Sequence, residues 1–355
     1  MIDYIDSDSD NEYEQILGQT FFNKYLCLKK LGKGSFGSIY KAIYNKEEYA
    51  LKIEERKKND LLQNEAAIMN YLQSENIPKV KSYGFTGCYN ILIMQLLGKD
   101  LESYLNQFKK FSLKTVCILG KQMLNILESI HEKHILHRDI KPENFVMGLN
   151  HNSNKVYLID FGLAKKYRSI KTLIQYPLTM KKKFTGTARY ASINALKGYE
   201  HSRRDELESL GYIFVYFLKG KLPWQNIIAK NKEEKYKKIL EKKMEISSEE
   251  LCKDLPKEFE MFLEYNKNIK YEEKPDYKYL HDLIDKIMNE NNIKNDYIYD
   301  WTLDEEKNKY ETTNDNSINE GKKNDNYYHI KTNKKIYYNQ FEEPEINCSS
   351  VCSIF

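Results

Sequence analysis

The chain has 355 residues, of which 41% are hydrophobic, so it can bury a sizeable core, which argues against a wholly disordered protein. Residues 1–20 carry six acids and no base, and residues 304–355 carry ten acids and seven lysines, so the net charge of +4 leaves +13 on residues 21–303. This excess favours anionic partners, namely nucleic acid, an acidic membrane surface or acidic proteins.

Three further features limit the class of protein. The longest apolar run, at residues 210–218, is far shorter than the ~20 residues that span a bilayer, so it predicts a buried helix. The first ten residues have neither a basic start nor an apolar stretch, so we expect no signal peptide. The six cysteines form no C-x-x-C pair, which predicts core thiols in a reducing compartment rather than zinc ligands or disulfides.

Composition divides the chain into three parts. Residues 1–20 form an acidic leader, and residues 304–355 form a tail rich in Asn, Lys, Glu and Tyr with little periodicity. We expect both to be flexible extensions, because neither can bury enough apolar surface to fold alone. Residues 21–303 remain as the folded body.

The first part of this body predicts a small sheet interrupted by one helix. Residues 25–31, 38–42 and 48–54 are β-prone runs between Gly and Asn turn signals. Residues 61–72 have the apolar spacing of a helix, and strand-like runs follow at 81–85 and 89–96.

The second part is mainly helical. Ser112 is a candidate N-cap for a long helix that runs to about residue 133, and helices dominate from there to Trp301. The predicted fold class is α+β with two lobes. The smaller, β-rich N-lobe covers about 21–97, and the larger, α-helical C-lobe covers about 98–303.

The first motif is a glycine-rich loop between two predicted strands. It has the pattern G-x-G-x-x-G-x-I and contains Gly32, Gly34, Ser35, Gly37 and Ile39. A dinucleotide site would need a helix directly after this turn, whereas a strand follows here. The arrangement indicates a hairpin whose backbone N–H groups can approach phosphates, although a plain Gly-rich hairpin is the alternative for the motif alone.

Lys52 lies in an apolar strand run, where a cation is costly unless it is paired. The following helix carries Glu65, which can supply one anion, and the α- and β-phosphates of a nucleotide could supply others. For a single lysine the alternative is an edge strand that turns the side chain to solvent.

Two further motifs make the combination specific. H-R-D-x-K-x-x-N contains Asp139, Lys141 and Asn144, and D-F-G begins at Asp160. Phosphoryl transfer needs metal ligands, a group that positions the attacking hydroxyl, and cations on the transferring oxygens. Asn144 and Asp160 offer hard oxygen ligands for Mg²⁺, Asp139 can accept the hydroxyl proton, and Lys141 can reach the γ-phosphate.

These motifs, in this order and at this spacing, resemble a eukaryotic protein kinase over roughly residues 25–301. The resemblance implies a two-lobed fold, ATP and Mg²⁺ as cofactors, and phosphate transfer to protein. Lys141, two places after Asp139, is typical of the serine/threonine type. Thr187 would be the activation-segment threonine that bonds near Asp139 and Lys141.

Other stretches resemble the casein kinase I family, namely LLGKDLESY, FSLKT, GTARYASIN, SRRDELESLGY, LPWQ, EKKM and KPDYKYL. The resemblance places Ala50 at the nucleotide, makes Met94 the gatekeeper, and puts Leu97 in the hinge that contacts adenine. The usual A-P-E is absent. Asn194 stands at its end and cannot ionise, so the ion pair that A-P-E normally makes is unavailable.

The chain departs from the family pattern at two places. Glu206 replaces a second aspartate in the S-R-R-D-D-L segment, and because it is one methylene longer we expect a looser brace on the catalytic loop. The basic stretch after LPWQ is diluted by acids at residues 231–235, which argues against a nuclear-targeting role for that segment.

The resemblance implies acidic or already phosphorylated protein substrates, with Arg189 and Lys235 matching the family's anion pocket. The activation segment adds further basic residues: Lys165, Lys166, Arg168, Lys171 and Lys181 to Lys183. Two alternatives remain, a pseudokinase that acts as a scaffold and a nucleic-acid-binding protein. The intact Lys52, Glu65, Asp139, Asn144 and Asp160 argue against the first. The second has no motif beyond charge, so we expect no specific nucleic-acid partner.

The last four residues, Cys352 to Phe355, have the C-a-a-X form, and Cys348 lies four positions before Cys352. Prenylation of Cys352 with palmitoylation of Cys348 would supply the two signals that stable anchoring needs. The alternative is a chance cysteine in a tail. We therefore expect a cytoplasmic enzyme that can be tethered to the cytoplasmic face of a membrane, and the resemblance to the family implies a monomer.

Overall fold

The computed structural model of the protein describes residues 16–33, 37–56, 61–180 and 182–302. Its N-lobe contains a six-stranded antiparallel sheet in the order β1-β2-β3-β4-β6-β5. The strands are β1 (Thr20–Phe21), β2 (Tyr25–Lys33), β3 (Ser38–Tyr44), β4 (Glu47–Glu55), β5 (Val80–Thr86) and β6 (Tyr89–Gln95). The five predicted strands are present, and each boundary lies within two residues of its predicted position.

A tight turn fixes the register of the two central strands. Asn45 and Lys46 connect β3 to β4 and have φ angles of 50° and 66°. Two successive positive φ angles match the right-handed twist of a two-residue hairpin, which is why an Asn stands there. Tyr44 then pairs with Glu47, and Ile39 pairs with Lys52.

The helix α1 (Leu61–Leu72) occupies the residues predicted for it. It packs against β5 and β6, and it also contacts the short 3₁₀ helix Phe161–Leu163 of the C-lobe. Its buried face carries apolar residues together with Glu65. The helix therefore links the sheet of the N-lobe to the start of the activation segment.

The C-lobe is mainly helical, as predicted. Its helices are α2 (Leu101–Phe108), α3 (Leu113–Glu132), α4 (Ile193–Leu196), α5 (Arg203–Lys219), α6 (Lys232–Glu245), α7 (Ser248–Leu251), α8 (Lys257–Asn268) and α9 (Tyr277–Glu290). Two short antiparallel pairs accompany them: β7 (Ile135–Leu136) with β10 (Lys165–Lys166), and β8 (Phe145–Met147) with β9 (Val156–Leu158).

Capping residues set the ends of the two longest helices. Ser112, the predicted N-cap of α3, accepts a hydrogen bond from the backbone N–H of Thr115 at 3.2 Å. Ser202 and Asp205 form a capping box at the start of α5, and Gly220 ends that helix with a φ of 72°. Residues 210–217 of α5 are all buried, so the apolar run is a core helix.

Aromatic packing attaches the last described residues to the C-lobe. Trp301 stacks on Tyr104 of α2 with ring centroids 4.1 Å apart, and Asp300 accepts hydrogen bonds from Ser112. Within the described residues, no helix is long and apolar enough to cross a membrane. Three of the described cysteines, Cys27, Cys117 and Cys252, are buried, whereas Cys88 is exposed.

Candidate active site

The loop that follows β7 carries the predicted catalytic aspartate. Arg138, one residue before it, has a φ of 67°, so the backbone turns sharply there. The His137 ring lies 2.8 Å from the carbonyl oxygen of Ile159 through Nε2, and its Nδ1 lies 3.3 Å from the backbone nitrogen of Asp139. The first contact fastens the loop to the end of the β8–β9 hairpin, and the second lies within the loop itself.

Three side chains surround Asp139. Thr187 Oγ1 donates to Oδ1 at 2.7 Å, and Lys141 Nζ lies 2.7 Å from Oδ2. Asn144 Nδ2 donates to the backbone carbonyl oxygen of Asp139 at 2.8 Å. Burial alone would lower the pKa of Lys141, but the neighbouring carboxylates, Asp139 first, raise it overall, so the ammonium stays charged.

A cluster of charged side chains around Lys52 joins the two lobes. Lys52 in β4 is only 4% exposed, and its ammonium lies 2.6 Å from Glu65 Oε2 and 3.1 Å from Asp160 Oδ1. Burial alone would lower the pKa of Lys52, but Glu65 and Asp160 raise it overall. The same ammonium outweighs the effect of burial on Asp160 and lowers the pKa of that carboxyl. The predicted lysine, glutamate and aspartate therefore meet as one buried ionic cluster.

Strand pairing brings the two predicted metal ligands to the same end of one hairpin. In the register of this hairpin, Phe145 of β8 pairs with Leu158 of β9. Asn144 comes just before Phe145, and Asp160 comes two residues after Leu158. The backbone N–H of Ile159 also donates to the Asn144 carbonyl oxygen at 3.0 Å. Because the Asn144 amide nitrogen donates to Asp139, the side-chain oxygen is the atom of Asn144 that could serve as a metal ligand.

The described residues that flank the glycine-rich loop lie on strands next to Lys52. Gly32 pairs with Ile39 across β2 and β3, and Ile39 pairs with Lys52 across β3 and β4. Gly34 and Ser35 lie outside the described residues. At Gly37, a Cβ atom would stand 2.1 Å from the carbonyl oxygen of Ile53, so the close approach of the two strands requires glycine.

The residues predicted as nucleotide contact, gatekeeper and hinge, namely Ala50, Met94 and Leu97, lie on or next to β4 and β6. Ala50 pairs with Met94 across β4 and β6, and both are buried in the same apolar cluster. Leu97 follows β6 and is half-buried. The next residue, Gly98, donates its N–H to the carbonyl oxygen of Met147 at 2.8 Å, which attaches the connecting segment to the C-lobe.

A family model described as the protein kinase domain matches residues 25–294, which is more than half of the chain. The chain belongs to the protein kinase family. The family confirms the two-lobed α+β fold and the general activity of a phosphotransferase.

In the kinase, Glu206 braces the catalytic loop in spite of its extra methylene. Its Oε1 accepts a hydrogen bond from the backbone N–H of Arg138 at 2.5 Å, and its Oε2 lies 2.7 Å from His131 Nε2. His131 Nδ1 lies 2.6 Å from the hydroxyl of Tyr277. Burial alone would raise the pKa of Glu206, but His131 and the other donors lower it overall. The brace that we expected to be looser is hydrogen-bonded at both carboxylate oxygens.

Helix α5 anchors the stretch that replaces A-P-E. Ser192 Oγ donates to Asp205 Oδ1 at 2.6 Å, and the backbone N–H of Ile193 donates to Glu208 Oε1 at 2.9 Å. Tyr212 donates its hydroxyl to the same Glu208 oxygen at 2.7 Å. The kinase thus holds this stretch through carboxylates of α5 rather than through residue 194.

The two residues of the predicted anion pocket have different surroundings. Arg189 is half-buried, with Nη1 3.5 Å from Glu102 Oε1 and 3.2 Å from the Tyr190 hydroxyl. Its guanidinium also lies 5.7 Å from the centre of the Tyr216 ring. Lys235 is exposed on the first turn of α6. The motif did not reveal that Arg189 already has a carboxylate partner.

Some of the predicted basic residues are also engaged within the molecule. Lys165 and Lys182 each lie 3.2 Å from an oxygen of Glu200, and Arg168 Nε donates to His134 Nδ1 at 2.8 Å. Lys171 and Lys183 are exposed, and Lys181 lies outside the described residues. The cationic surface available to a substrate is therefore smaller than the sequence count indicates.

Glu54 is a member of the ionic cluster that no motif identified. Its Oε1 lies 3.5 Å from the ammonium of Lys52, and it is 8% exposed. Burial raises its pKa to about 7, against the opposing effect of Lys52. Its position two residues after Lys52 on the same strand was the only signal, since alternate residues share one face.

Proposed function

We propose that this protein kinase phosphorylates serine or threonine in acidic or already phosphorylated proteins, and that it is similar to casein kinase I. The observation that carries the proposal is the environment of Asp139, whose two carboxylate oxygens lie 2.7 Å from Thr187 Oγ1 and from Lys141 Nζ. Lys141 two places after the aspartate is the arrangement of the serine/threonine type in the family that the chain resembles.

The chain's own residues divide the work of the reaction. Asp139 takes the proton of the substrate hydroxyl as its oxygen attacks phosphorus. Lys141, whose raised pKa keeps it cationic, lies where it can neutralise charge on the transferring oxygens. Thr187 fixes the rotamer of Asp139, and Asn144 holds the backbone of the same residue. The proposed catalytic roles thus depend on one hydrogen-bonded loop.

Mg²⁺ and ATP fit the donor set on the nucleotide side. Asp160 and Asn144 offer oxygens from the same end of the β8–β9 hairpin, and oxygen ligands are those that Mg²⁺ prefers. Lys52 lies 3.1 Å from Asp160 and could contact phosphate oxygens next to the metal. When bound, Mg·ATP supplies the γ-phosphoryl group and the metal neutralises the polyphosphate. Gly32, Gly37, Ile39, Ala50, Met94 and Leu97 would surround the nucleotide.

Charge supports the proposed substrate class. Arg189 lies two residues after Thr187, so an anion that displaces Glu102 there would be near the acceptor site. Lys235, Lys171 and Lys183 add exposed positive charge. An arginine can grip a phosphate through two parallel hydrogen bonds, which favours phosphorylated over merely acidic groups.

The test is phosphate transfer from Mg·ATP to a panel of peptides with serine, threonine or tyrosine acceptors, with and without a phosphoserine three residues before the acceptor. We expect transfer to serine or threonine that is lowered by about 10²- to 10⁴-fold in Asp139→Asn, since a positioned general base contributes that much. Binding of ATP, measured by calorimetry, should be preserved in the variant.

The same experiment separates the alternatives. Tight ATP binding without transfer to any peptide would favour a pseudokinase scaffold. Transfer to tyrosine alone would contradict the serine/threonine assignment. Salt-sensitive binding of nucleic acid that competes with the peptide would favour a nucleic-acid-binding role for the basic body.

We also propose that the kinase acts as a monomer in the cytoplasm and can be tethered to a membrane through Cys352 and Cys348, both of which lie outside the described residues. A tether would raise the local concentration of membrane-bound substrates without changing the site. Fractionation of cells that express the wild type, Cys352→Ser or Cys348→Ser tests this proposal. Release by the first change and looser binding after the second are expected, because one lipid chain anchors weakly. A fully soluble wild type would contradict the tether.

A further inference from the structure

Lys243 is the unusual residue of helix α6. Most charged side chains of this helix are exposed, whereas Lys243 is only 2% exposed. Among the residues that the structure describes, no carboxylate oxygen lies within 4.0 Å of its ammonium. A buried cation without an ion pair is costly, and a leucine or methionine would fill the same space without that cost. The polar end of the side chain therefore needs a reason.

The contacts of the Lys243 ammonium explain why a polar group is present there. The ammonium donates a hydrogen bond to the backbone carbonyl oxygen of Ala191. It also lies 4.2 Å from the centre of the Tyr212 ring and 4.7 Å from that of Trp224, where a cation is attracted by both ring faces. Two aromatic rings and one carbonyl thus take the place of a counter-ion.

The carbonyl that Lys243 holds belongs to the turn next to the catalytic loop. The backbone N–H groups of Tyr190 and Ala191 both donate to the carbonyl oxygen of Thr187 at 3.1 Å. Thr187 in turn donates its hydroxyl to Asp139, and Ala191, Thr187 and Asp139 line one small cavity. A continuous set of hydrogen bonds therefore runs from Lys243 through Ala191 and Thr187 to Asp139.

A second contact holds the same turn at its middle residue. Trp224 donates its indole N–H to the carbonyl oxygen of Arg189 at 2.7 Å, and the Trp224 ring packs on Lys243. Helix α6 also packs against α4, which begins directly after the turn. The turn from Thr187 to Ala191 is thereby fixed from the side of α6.

We propose that Lys243 is a positioning residue of the kinase, which holds Ala191 and thereby sets Thr187 and the peptide acceptor relative to Asp139. This inference rests on the proposed roles of Asp139 and Thr187. It assigns Lys243 no contact with substrate or nucleotide. Its effect should therefore appear in the parameters for the peptide and leave those for ATP unchanged.

The test compares Lys243→Met, which keeps the length and apolar character of the side chain, with Lys242→Met on the same helix. The Lys242 side chain is 40% exposed and pairs with Glu245 at 2.9 Å, so its variant controls for loss of one charge from α6. We expect Lys243→Met to lower kcat/KM for a serine peptide by about 10- to 100-fold, the range for losing a hydrogen bond from a charged group. The KM for ATP should stay within about twofold of the wild type, and Lys242→Met should behave as the wild type.

A pH profile gives a second readout that remains useful if Lys243→Met folds poorly. Burial lowers the pKa of Lys243 to about 7, against the attraction of Glu208 and with a smaller contribution from Lys267 of α8. Tyr212, the other titratable group that faces it, has a pKa that burial raises well above its usual value, so it stays neutral. Peptide kcat/KM of the wild type should therefore fall above pH 7, as the ammonium loses its proton.

Lys243→Arg cannot lose its charge in this range, so its profile should be flat above pH 7, whatever its absolute activity. Equal peptide kinetics of Lys243→Met and wild type would overturn the proposal. So would parallel losses in the peptide and ATP parameters, or an arginine variant that keeps the wild-type profile. An inactive wild type would instead count against the proposed function.

Discussion

Two cations on opposite sides of the site have carboxylate partners, but in different environments. On the nucleotide side, Lys52 is 4% exposed and lies 2.6 Å from Glu65 and 3.1 Å from Asp160. On the substrate side, the Arg189 side chain is 37% exposed and lies 3.5 Å from Glu102. One cation is enclosed between the lobes, and the other stands at the surface where a substrate would arrive.

The difference decides which pair can exchange its partner. In a buried cluster, removal of one charge leaves the opposite charge buried and uncompensated, which is strongly unfavourable. The members of such a cluster therefore cannot easily exchange partners. At Arg189 the guanidinium is in contact with water, and burial raises the pKa of Glu102, which weakens the hold of that carboxylate on the arginine. A substrate anion can therefore replace Glu102 at a lower cost than it could replace a partner of Lys52. The Lys52 cluster is therefore part of the architecture, whereas the Arg189 pair is suited to be displaced.

Removal of Lys52 should have the largest effect. Lys52→Met leaves the buried Glu65 and the half-buried Asp160 without the Lys52 ammonium, which should lower the free energy of unfolding by about 3–5 kcal/mol. Phosphate transfer should fall by about 10²- to 10³-fold, as for the loss of a group that stabilises developing charge. Urea unfolding and peptide kinetics measure the two effects.

A double variant and a surface control sharpen this test. Lys52→Met with Glu65→Leu should recover part of the lost stability, because both buried charges of that pair are gone, but it should not recover activity. Lys41→Met removes a lysine that pairs with Glu48 on the neighbouring strand and should change stability by less than about 1 kcal/mol. If the buried and the surface lysine have equal effects, the comparison fails.

The sequence was sufficient to predict the contact of Lys52 with Glu65 but not that of Arg189 with Glu102. Lys52 and Glu65 are identified by an apolar strand and the helix that follows it, because the cost of an unpaired buried cation demands a nearby acid. The contact of Arg189 with Glu102 joins the activation segment to α2, and no local pattern indicates that these two elements meet. Nor does any local pattern predict that Lys243 is buried, since the many charged residues of its helix indicate a solvent-exposed helix.

The elements of the fold also divide into those that local sequence signals predict and those that depend on distant contacts. Strand boundaries were predicted to within two residues, because alternation and turn residues are local signals, and the caps of α3 marked its start. The short helix α2 was not predicted as a helix, although Asp100 caps it by accepting from the N–H of Ser103 at 2.8 Å. Leu101, Tyr104, Leu105 and Phe108 do have the i, i+3, i+4, i+7 spacing of a helix, but two turns are a short run for a periodic signal. The packing of Trp301 on Tyr104 adds a contact from the far end of the body.

Substitution of Glu206 should have an effect on stability between those expected at Lys52 and at Glu102. It is 2% exposed like the Lys52 cluster, but its partners are a backbone N–H and a histidine rather than a lysine. Glu206→Gln should lower the free energy of unfolding by about 1.5–3 kcal/mol at pH 7, since hydrogen bonds to a charged group are lost. Glu245→Gln, at an exposed position of α6, is the matched control.

The loss should depend on pH with a definite sign. Because the pKa of Glu206 is lowered in the folded state, its stabilisation is present above the unfolded pKa of about 4.3 and disappears as pH falls through the folded value. The difference between wild type and Glu206→Gln in urea unfolding should therefore be largest at neutral pH and shrink below about pH 4. A difference that grows toward acid pH would show that the carboxylate is not the stabilising form.

The smallest effect is expected at Glu102, and it tests whether the Arg189 pair is displaceable. If Glu102 competes with a substrate anion, Glu102→Gln should lower the KM for a peptide with phosphoserine three residues before the acceptor. A decrease of about two- to fivefold is expected, because half-exposed pairs contribute only about 0.2–1 kcal/mol. The unphosphorylated peptide should change less, and Glu75→Gln, at a distant exposed pair, should change neither.

Two further variants fix the interpretation of that result. Arg189→Ala and Lys235→Ala should raise the KM for the phosphorylated peptide more than that for the unphosphorylated one, and Glu102→Gln should have no further effect in the Arg189→Ala background. If Glu102→Gln instead weakens binding of the phosphorylated peptide, then Glu102 orients the guanidinium rather than competing for it. Arg189 would then belong with Lys52 as a cation whose partner is fixed, and the difference between the two sides of the site would be one of exposure alone.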